Sequence, residues 1–575
     1  MDDPNMQREE IDRVLHSKRK QRESKACYPC RQRKVKCDGS QPCRTCVKRA
    51  HPEICAYDVD SPRKRTAQSR RESHQGQSRD IPVPSSPMET PRSSGRAQDT
   101  SHVFAGDNSL VSILGQQDPD GSMAREATSV LGLHNTYSSY PFIDSRTAQE
   151  RWVALLDILP HRNEVLKFFH FYRSSAYPFN PILVDVDKFE SDICVYLGAY
   201  ASGELADRDR VSEHWASPKS VGQISLLLAT LAAGAHFSDL ENPQRSEVCQ
   251  DFARRSFQAL RLANFLFRPS LDVVQAMLVL GNTLQNNGQS DAAWAFLGTT
   301  VRLAQTLGLH SERGTLHWPE HAKVKAKSLW SMTVWQDSLL SLCYDRPPIV
   351  STRGWTPHVN PEPSGFSYLM LMHSICWIAL NIIQIQELPQ PEPSPNLTLL
   401  AELDQTYSQA QPHLRQRESC KNLQENLEHL ALRMHVSFCV SVLCRPAIRK
   451  NPQAGEDPNY ITLRARAKES LITASKAFLD FQALSIVPLR TWSMVHTVLS
   501  STLLLCTWHE TRDDAECREL QQKASAGLDP LFAGDVSQMM PSDEMFGFLP
   551  DWDYSPVTYL DSIMNVPLFG FPEDT

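Results

Sequence analysis

From residue 147 to about residue 518, apolar side chains recur three and four positions apart, the period of helices with one buried face. The clearest stretch is 270–309. Val274, Met277, Leu278, Gly281 and Leu284 fall on one face of a helix that Ser270 can cap. Asn286-Asn287-Gly288 then reads as a turn. Ser290 can cap a second helix carrying Ala293, Leu297, Thr300, Ala304 and Leu307, and Gly308 stands where it should stop. So short a turn sets two helices antiparallel. Leu329, Met332, Trp335, Leu339 and Leu342 form the next stripe, which Pro347-Pro348 ends. Such stripes are core packing before they are cofactor sites. No period of 30–45 residues recurs, so no helical repeat is expected. The pattern predicts a mainly α chain with a large all-helical domain over 147–518.

The flanks break the pattern. From Asp58 to about Thr100 the composition turns to Ser, Arg, Gln and Pro without apolar periodicity, and no heptads appear before Ala148, so residues 59–146 are expected to be a disordered linker. After Lys523 eight aromatics (Phe532, Phe546, Phe548, Trp552, Tyr554, Tyr559, Phe569 and Phe571) sit among acids and frequent prolines. Residues 519–575 are therefore expected to be an acidic, disordered tail of the kind that activation segments use, or an extension that folds back on the body. The apolar windows 368–385 and 492–508 are interrupted by His373 and Asn381, or by His496, and read as buried helices instead of membrane spans. No apolar run occupies the first thirty residues, so no secretory signal is expected.

Composition sharpens this organisation. Hydrophobic content of 41% and charged content of 22% exclude a wholly disordered chain, and 38 Pro against 23 Gly suits helices joined by Pro-rich linkers. The formal charge of −7 conceals a polarised chain. Residues 1–72 hold 19 Lys/Arg against 11 Asp/Glu, whereas residues 524–575 hold nine acids and no Lys or Arg. A basic head and an acidic tail point to an anion-binding end and a separate protein-binding end.

The basic end also carries the chemistry. Six of the fifteen cysteines, Cys27, Cys30, Cys37, Cys43, Cys46 and Cys55, fall within 29 residues; the other nine are scattered among apolar neighbours and read as buried small hydrophobes. Each Cys-x2-Cys pair lets two thiolates converge on one metal, and soft thiolates suit tetrahedral zinc. Two such ions need eight ligand positions, so with six cysteines two sulfurs must bridge. A segment this short has almost no core, and metal binding supplies its folding energy, on the order of 10 kcal/mol per zinc. Lys25, Arg31, Arg33, Lys34, Lys36, Arg44, Lys48 and Arg49 interleave with the thiols against Asp38 alone, and the run from Arg31 to Lys36 can form a short helix facing phosphates.

The run Ala26-Cys27-x2-Cys30-Arg31-x-Arg33-Lys34-x-Lys36-Cys37-Asp38-Gly39-x2-Pro42-Cys43-x2-Cys46 resembles the fungal binuclear zinc-cluster transcription factors. The resemblance implies two Zn2+ per chain held by the six cysteines, with Cys27 and Cys43 bridging. It also implies Arg33 and Lys34 reading a CGG triplet in the major groove, as cation-to-guanine contacts do. Lys25, Arg31, Lys36 and Arg44 then hold phosphates. Gln289 to Trp294, Val301 to His310, and Leu329-Trp330 through Asp337 to Asp345-Arg346-Pro347-Pro348 are similar to the family's middle regulatory region, although most members carry Gly where Asp345 stands. Many members also place a coiled coil after the cluster. The absence of heptads between Asp58 and Ala148 argues for a monomer, or for dimerisation through the helical body.

The domain reading is a basic N-terminal tail over 1–22, a zinc-cluster DNA-binding module over 23–58, the linker, the helical regulatory domain and the acidic tail. The function expected is sequence-specific regulation, by activation, of RNA polymerase II genes through CGG-type sites in the nucleus. Family likeness points to the genes of a dedicated metabolic pathway or a secondary-metabolite biosynthetic cluster. Lys18-Arg19-Lys20-x-Arg22 and Arg63-Lys64-Arg65 suit nuclear import, and the tail suits contact with the transcription machinery. The rival is a nuclear zinc-cluster protein that binds RNA or protein without DNA sequence preference. Catalysis is not expected: Pro42-Cys43-Arg44-Thr45-Cys46 and His51-Pro52-Glu53 echo a zinc deaminase, but in the wrong order and too close together to build that site.

Overall fold

The computed structural model describes Cys30 and residues 35–38, 40 and 42–48, and then 147–352, 355, 357, 363–386, 393–449, 457–485 and 487–528. It divides into two compact units, residues 1–95 and 96–575.

In the first unit the described helix is α1 (Arg44–Lys48). The second is helical throughout. It runs α2 (Ala148–Leu156), α3 (Arg162–Phe171), a π turn (Tyr172–Ala176), α4 (Val186–Ala201), α5 (Pro218–His236), α6 (Gln244–Leu262), α7 (Leu271–Asn286), α8 (Ser290–Thr306) and α9 (Glu320–Tyr344). It continues with α10 (Tyr368–Gln386), α11 (Pro393–Ser408), α12 (Pro412–Arg415), α13 (Leu423–Arg449), α14 (Pro458–Leu484), α15 (Trp492–Thr507) and α16 (Ala515–Leu528). Among the described residues there is no strand, only an isolated bridge between Phe366 and Ala410. The mainly α reading holds.

The ends of these helices follow from their residues. Thr147 opens α2 with a capping box: its hydroxyl accepts the Glu150 N–H at 3.1 Å, and the Glu150 carboxylate accepts the Thr147 N–H. Ser270 caps α7 as expected, accepting the Val273 N–H. Ser290 does not cap α8. It is the first residue of the helix, buried, and Gln289 takes the cap position without a side-chain bond. Gly288 and Gly308 stand at the turns with φ of 76° and 78°. α9 ends at Asp345, whose φ of 53° and ψ of 42° are the left-handed values a C-terminal glycine usually takes. Asp345 thus makes a left-handed turn that glycine adopts most easily.

One apolar core runs through the whole helical unit. α5 lies in its middle, packed against α3, α6 and α7. It approaches α3 so closely that a Cβ on Gly234 would lie 1.9 Å from the Phe168 carbonyl oxygen. Residues 273–281 of α7 are all buried, so this helix is enclosed on every side where the pattern indicated one face. Gln275 is satisfied there: its Oε1 accepts the Val184 N–H and its Nε2 donates to Asp272. α10 and α13 are long and apolar enough to cross a membrane, yet the windows concerned are 56% and 83% buried inside this core. The later helices are joined to the earlier ones by polar ties. Arg490 donates to the Ser238 carbonyl at 2.7 Å, and the Trp492 N–H donates to Asn286 Oδ1 at 2.9 Å.

Cysteines outside the cluster are mostly core residues: Cys249, Cys343, Cys376, Cys439, Cys444 and Cys517 are buried. Burial pushes the Cys376 thiol up to about 12, with a hydrogen bond to Ser338 pulling it partly back. Cys194 is exposed, and Cys420 and Cys506 are half-buried, so the small-hydrophobe reading fails for Cys194.

Candidate metal centre and nucleic-acid interface

Among the described residues of the first unit, sulfur takes the place of a hydrocarbon core: the buried ones are Cys30, Cys43 and Cys46, with Val35 and Cys37 packed against them. The Sγ atoms of Cys30, Cys37 and Cys43 all lie within 4.8 Å of one another, and Cys30 and Cys43 are 3.6 Å apart. A tetrahedral zinc with Zn–S bonds of about 2.3 Å holds its sulfurs about 3.8 Å apart, so this pair fits one ion. The Cys46 N–H points at Cys43 Sγ at 3.4 Å, a contact that favours thiolate over thiol. The donor set suits zinc. Cys27 and Cys55 lie outside the described residues.

The chain around these sulfurs is pinned by polar contacts. Val35 N–H donates to the Cys30 carbonyl, and the Thr45 hydroxyl of α1 donates to the Lys36 carbonyl at 3.0 Å. Asp38 accepts the Ser40 hydroxyl at 3.0 Å and the Arg44 N–H at 3.3 Å, with the Arg44 guanidinium 3.7 Å away. Desolvation alone raises its carboxyl, but the Ser40 hydroxyl and the backbone N–H groups outweigh it and hold Asp38 below the ordinary value. The one acid among the cations is thus a structural tie between loop and helix, which charge counting did not reveal.

Of the cations expected to meet DNA, Lys36 and Arg44 are described, and both are exposed. The Arg44 side chain is 89% accessible despite Asp38, so it can still reach an anionic partner. The Thr45 bond brings the Lys36 backbone to the helix that begins with Arg44, which sets the two cations on one small module. Lys36 lies in a segment without regular structure. Lys25, Arg31, Arg33 and Lys34 lie outside the described residues, and with them most of the expected 31–36 helix.

Comparison with known proteins gives two family matches in the expected order. Residues 25–64 match the fungal Zn(2)-Cys(6) binuclear cluster domain, and residues 168–353 match the fungal specific transcription factor domain. The chain is similar to the C6 finger domain transcription factor nscR of Aspergillus fumigatus, 29% identical over 20% of this chain and 14% of that protein. It is also similar to an uncharacterized transcriptional regulatory protein of Schizosaccharomyces pombe, 26% identical over 56% of this chain and 53% of the relative. The chain thus spans about half the length, or less, of these curated relatives. Among solved structures the K. lactis CBF3 core is similar with a TM-score of 0.46 at 13% identity, covering 73% of this chain and 90% of that one.

Proposed function

We propose, for a chain that is a fungal zinc-cluster transcription regulator and not an enzyme, that it binds CGG-containing promoter sites in the nucleus and activates the genes they control. The grouping of Cys30, Cys37 and Cys43 around one metal-sized space carries the reading. Cysteine thiolates bind zinc here. The proposal adds a second ion and assigns Cys27 and Cys43 as the bridging ligands, with Cys46 and Cys55 completing the set of six. Zinc contributes folding energy and charge, not chemistry on a substrate.

Within that module the chain's own residues divide the labour. Arg33 and Lys34 read guanine edges, which present acceptors in the major groove. Lys25, Arg31, Lys36 and Arg44 bind phosphates, which fixes register and makes affinity fall with salt. Helices of 147–528 form the regulatory body, which runs ten residues past the expected end at 518 because α16 (Ala515–Leu528) buries Leu520 and Ala524, and the residues beyond recruit the transcription machinery through acids and aromatics. Control of one dedicated metabolic pathway, or a secondary-metabolite gene cluster, is the expected scope. The basic runs at 18–22 and 63–65 serve nuclear import.

Selection of random duplex DNA by the zinc-loaded protein tests this. Enrichment of CGG that disappears with chelator is the expected result, and one triplet against a fixed-spacing pair separates monomer from dimer. Salt-sensitive binding without base preference, with zinc intact, supports the rival that uses the cluster for structure alone.

A further inference from the structure

Where the early and late helices of the body meet, they leave a cavity of about 70 Å3. Its walls come from the π turn after α3, from α7, α9 and α13, and from the first turn of α15. Tyr172, Phe179, Asn180, Trp335, His435 and Trp492 are among the residues that line it. Tyr172 and Ala176, the two ends of the π turn, both border the space, and a turn of that kind interrupts the regular packing of a helix. Half-buried Gln285 and Ser493 border it as well, so the cavity communicates with solvent.

Two buried polar atoms on this lining have no partner. Trp492 is 4% exposed, and its Nε1–H meets no acceptor among the described residues. Asn180 Oδ1 is buried too and meets no donor there. Other polar groups of the lining are used: Asn286 Oδ1 accepts the Trp492 backbone N–H, and Gln336 Nε2 donates to the Leu278 carbonyl. A buried donor or acceptor without a partner destabilises a fold, and native structures hold few of them. A donor and an acceptor left open on the wall of one cavity therefore mark a place for a polar molecule.

The lining also sets the chemistry of that molecule. Among the described residues no Asp, Glu, Lys or Arg borders the cavity. Burial pushes the His435 ring down to about 4, so it is neutral at neutral pH. A charged ligand would find no counter-ion here. Aromatic walls suit a flat ring, and the volume holds about two waters or one such ring. The Trp492 ring is already held in place, stacked on His496 at 4.8 Å and on Tyr344 at 5.6 Å, so its N–H needs little ordering to bind.

We infer that this cavity binds one small, flat, uncharged molecule that accepts from Trp492 Nε1–H and donates to Asn180 Oδ1, the chemistry of a neutral azole or amide. Asn180 precedes α4 and Trp492 begins α15, so the molecule bridges the early and late parts of the body. The site is independent of what the cysteine cluster reads.

Pyrazole, whose N–H stands beside a bare ring nitrogen, is the probe, and thiophene, a five-membered ring without the N–H, is the control. The tryptophan indole N–H signals of the full zinc-loaded chain are followed by NMR, Trp492 being the signal that Trp492→Phe lacks. Pyrazole should move that signal saturably and thiophene should leave it in place. Trp492→Phe and Asn180→Ala should each weaken pyrazole binding about tenfold in calorimetry, the loss of one hydrogen bond, with the melting temperature of the unliganded body unchanged. If one variant fails to fold, the other carries the comparison. A Trp492 signal that pyrazole does not move overturns the proposal, since water then fills the cavity. So does equal binding of pyrazole and thiophene, which marks a merely apolar void. Pyrazole affinity unchanged in the folded variants overturns it as well, because the probe then sits elsewhere.

Discussion

The two units of this molecule are held together by different means. In the first, among the described residues, three cysteines are the buried core and two further residues pack on them. In the second, helices bury a continuous core from Trp152 to Ala524. Apolar burial at about 25 cal/mol per Å2 can sustain the second but not the first. One unit is therefore expected to answer to metal and the other to packing, and a perturbation of either should leave the other intact.

Removing the metal gives the largest expected effect. Chelation, or Cys43→Ala, should unfold the cluster module, where each structural zinc contributes on the order of 10 kcal/mol, and abolish DNA binding. The calorimetric transition of the helical body should stay in place. A shift of the body's transition on chelation would show that the two units share their stability.

Next in size is Gly234→Ala. A methyl group there meets the backbone of Phe168 and not a side chain that can turn aside, so α5 and α3 must separate. The body should lose about 3 kcal/mol in a denaturant titration, with zinc content unchanged. An unaltered midpoint would mean that this helix contact is not as close as described.

Asp337 makes the body answer to pH. It is buried and accepts the N–H groups of Ile349 and Val350 at 2.8 Å each. Desolvation pushes its carboxyl up to about 6, with the two donors pulling it partly back. A group raised in the folded state adds stability below its unfolded pKa and loses it as pH rises through the folded value. The wild type should thus lose about 2–3 kcal/mol between pH 4 and pH 6 that Asp337→Asn does not lose. Parallel pH profiles for the two proteins would contradict this. The smallest effect is at the edge of the body: Thr147→Ala should cost about 1 kcal/mol through the lost capping box, read as a lower melting temperature.

What the sequence revealed also differed between the units. In the body, local chemistry was legible: Ser270 as a cap, Gly308 as a stop, and the faces that pack. Ser290 was misplaced by one position because a serine at the first turn looks like a cap whether or not it precedes the helix. The full enclosure of α7 was understated because periodicity was read where the run 273–281 is apolar or small almost throughout. In the cluster the reverse held. Thiol spacing announced the metal, but Asp38 was counted only as a charge, since its partners are chiefly backbone amides that no side-chain pattern displays.

The most direct test of the central claim compares Lys34→Ala with wild type on a CGG duplex and on a scrambled duplex at one salt concentration. The expected result is a loss of about 1–3 kcal/mol on CGG with little change on the scrambled site and zinc retained. An equal loss on both duplexes, or none on CGG, would contradict sequence reading by the basic pair of the cluster.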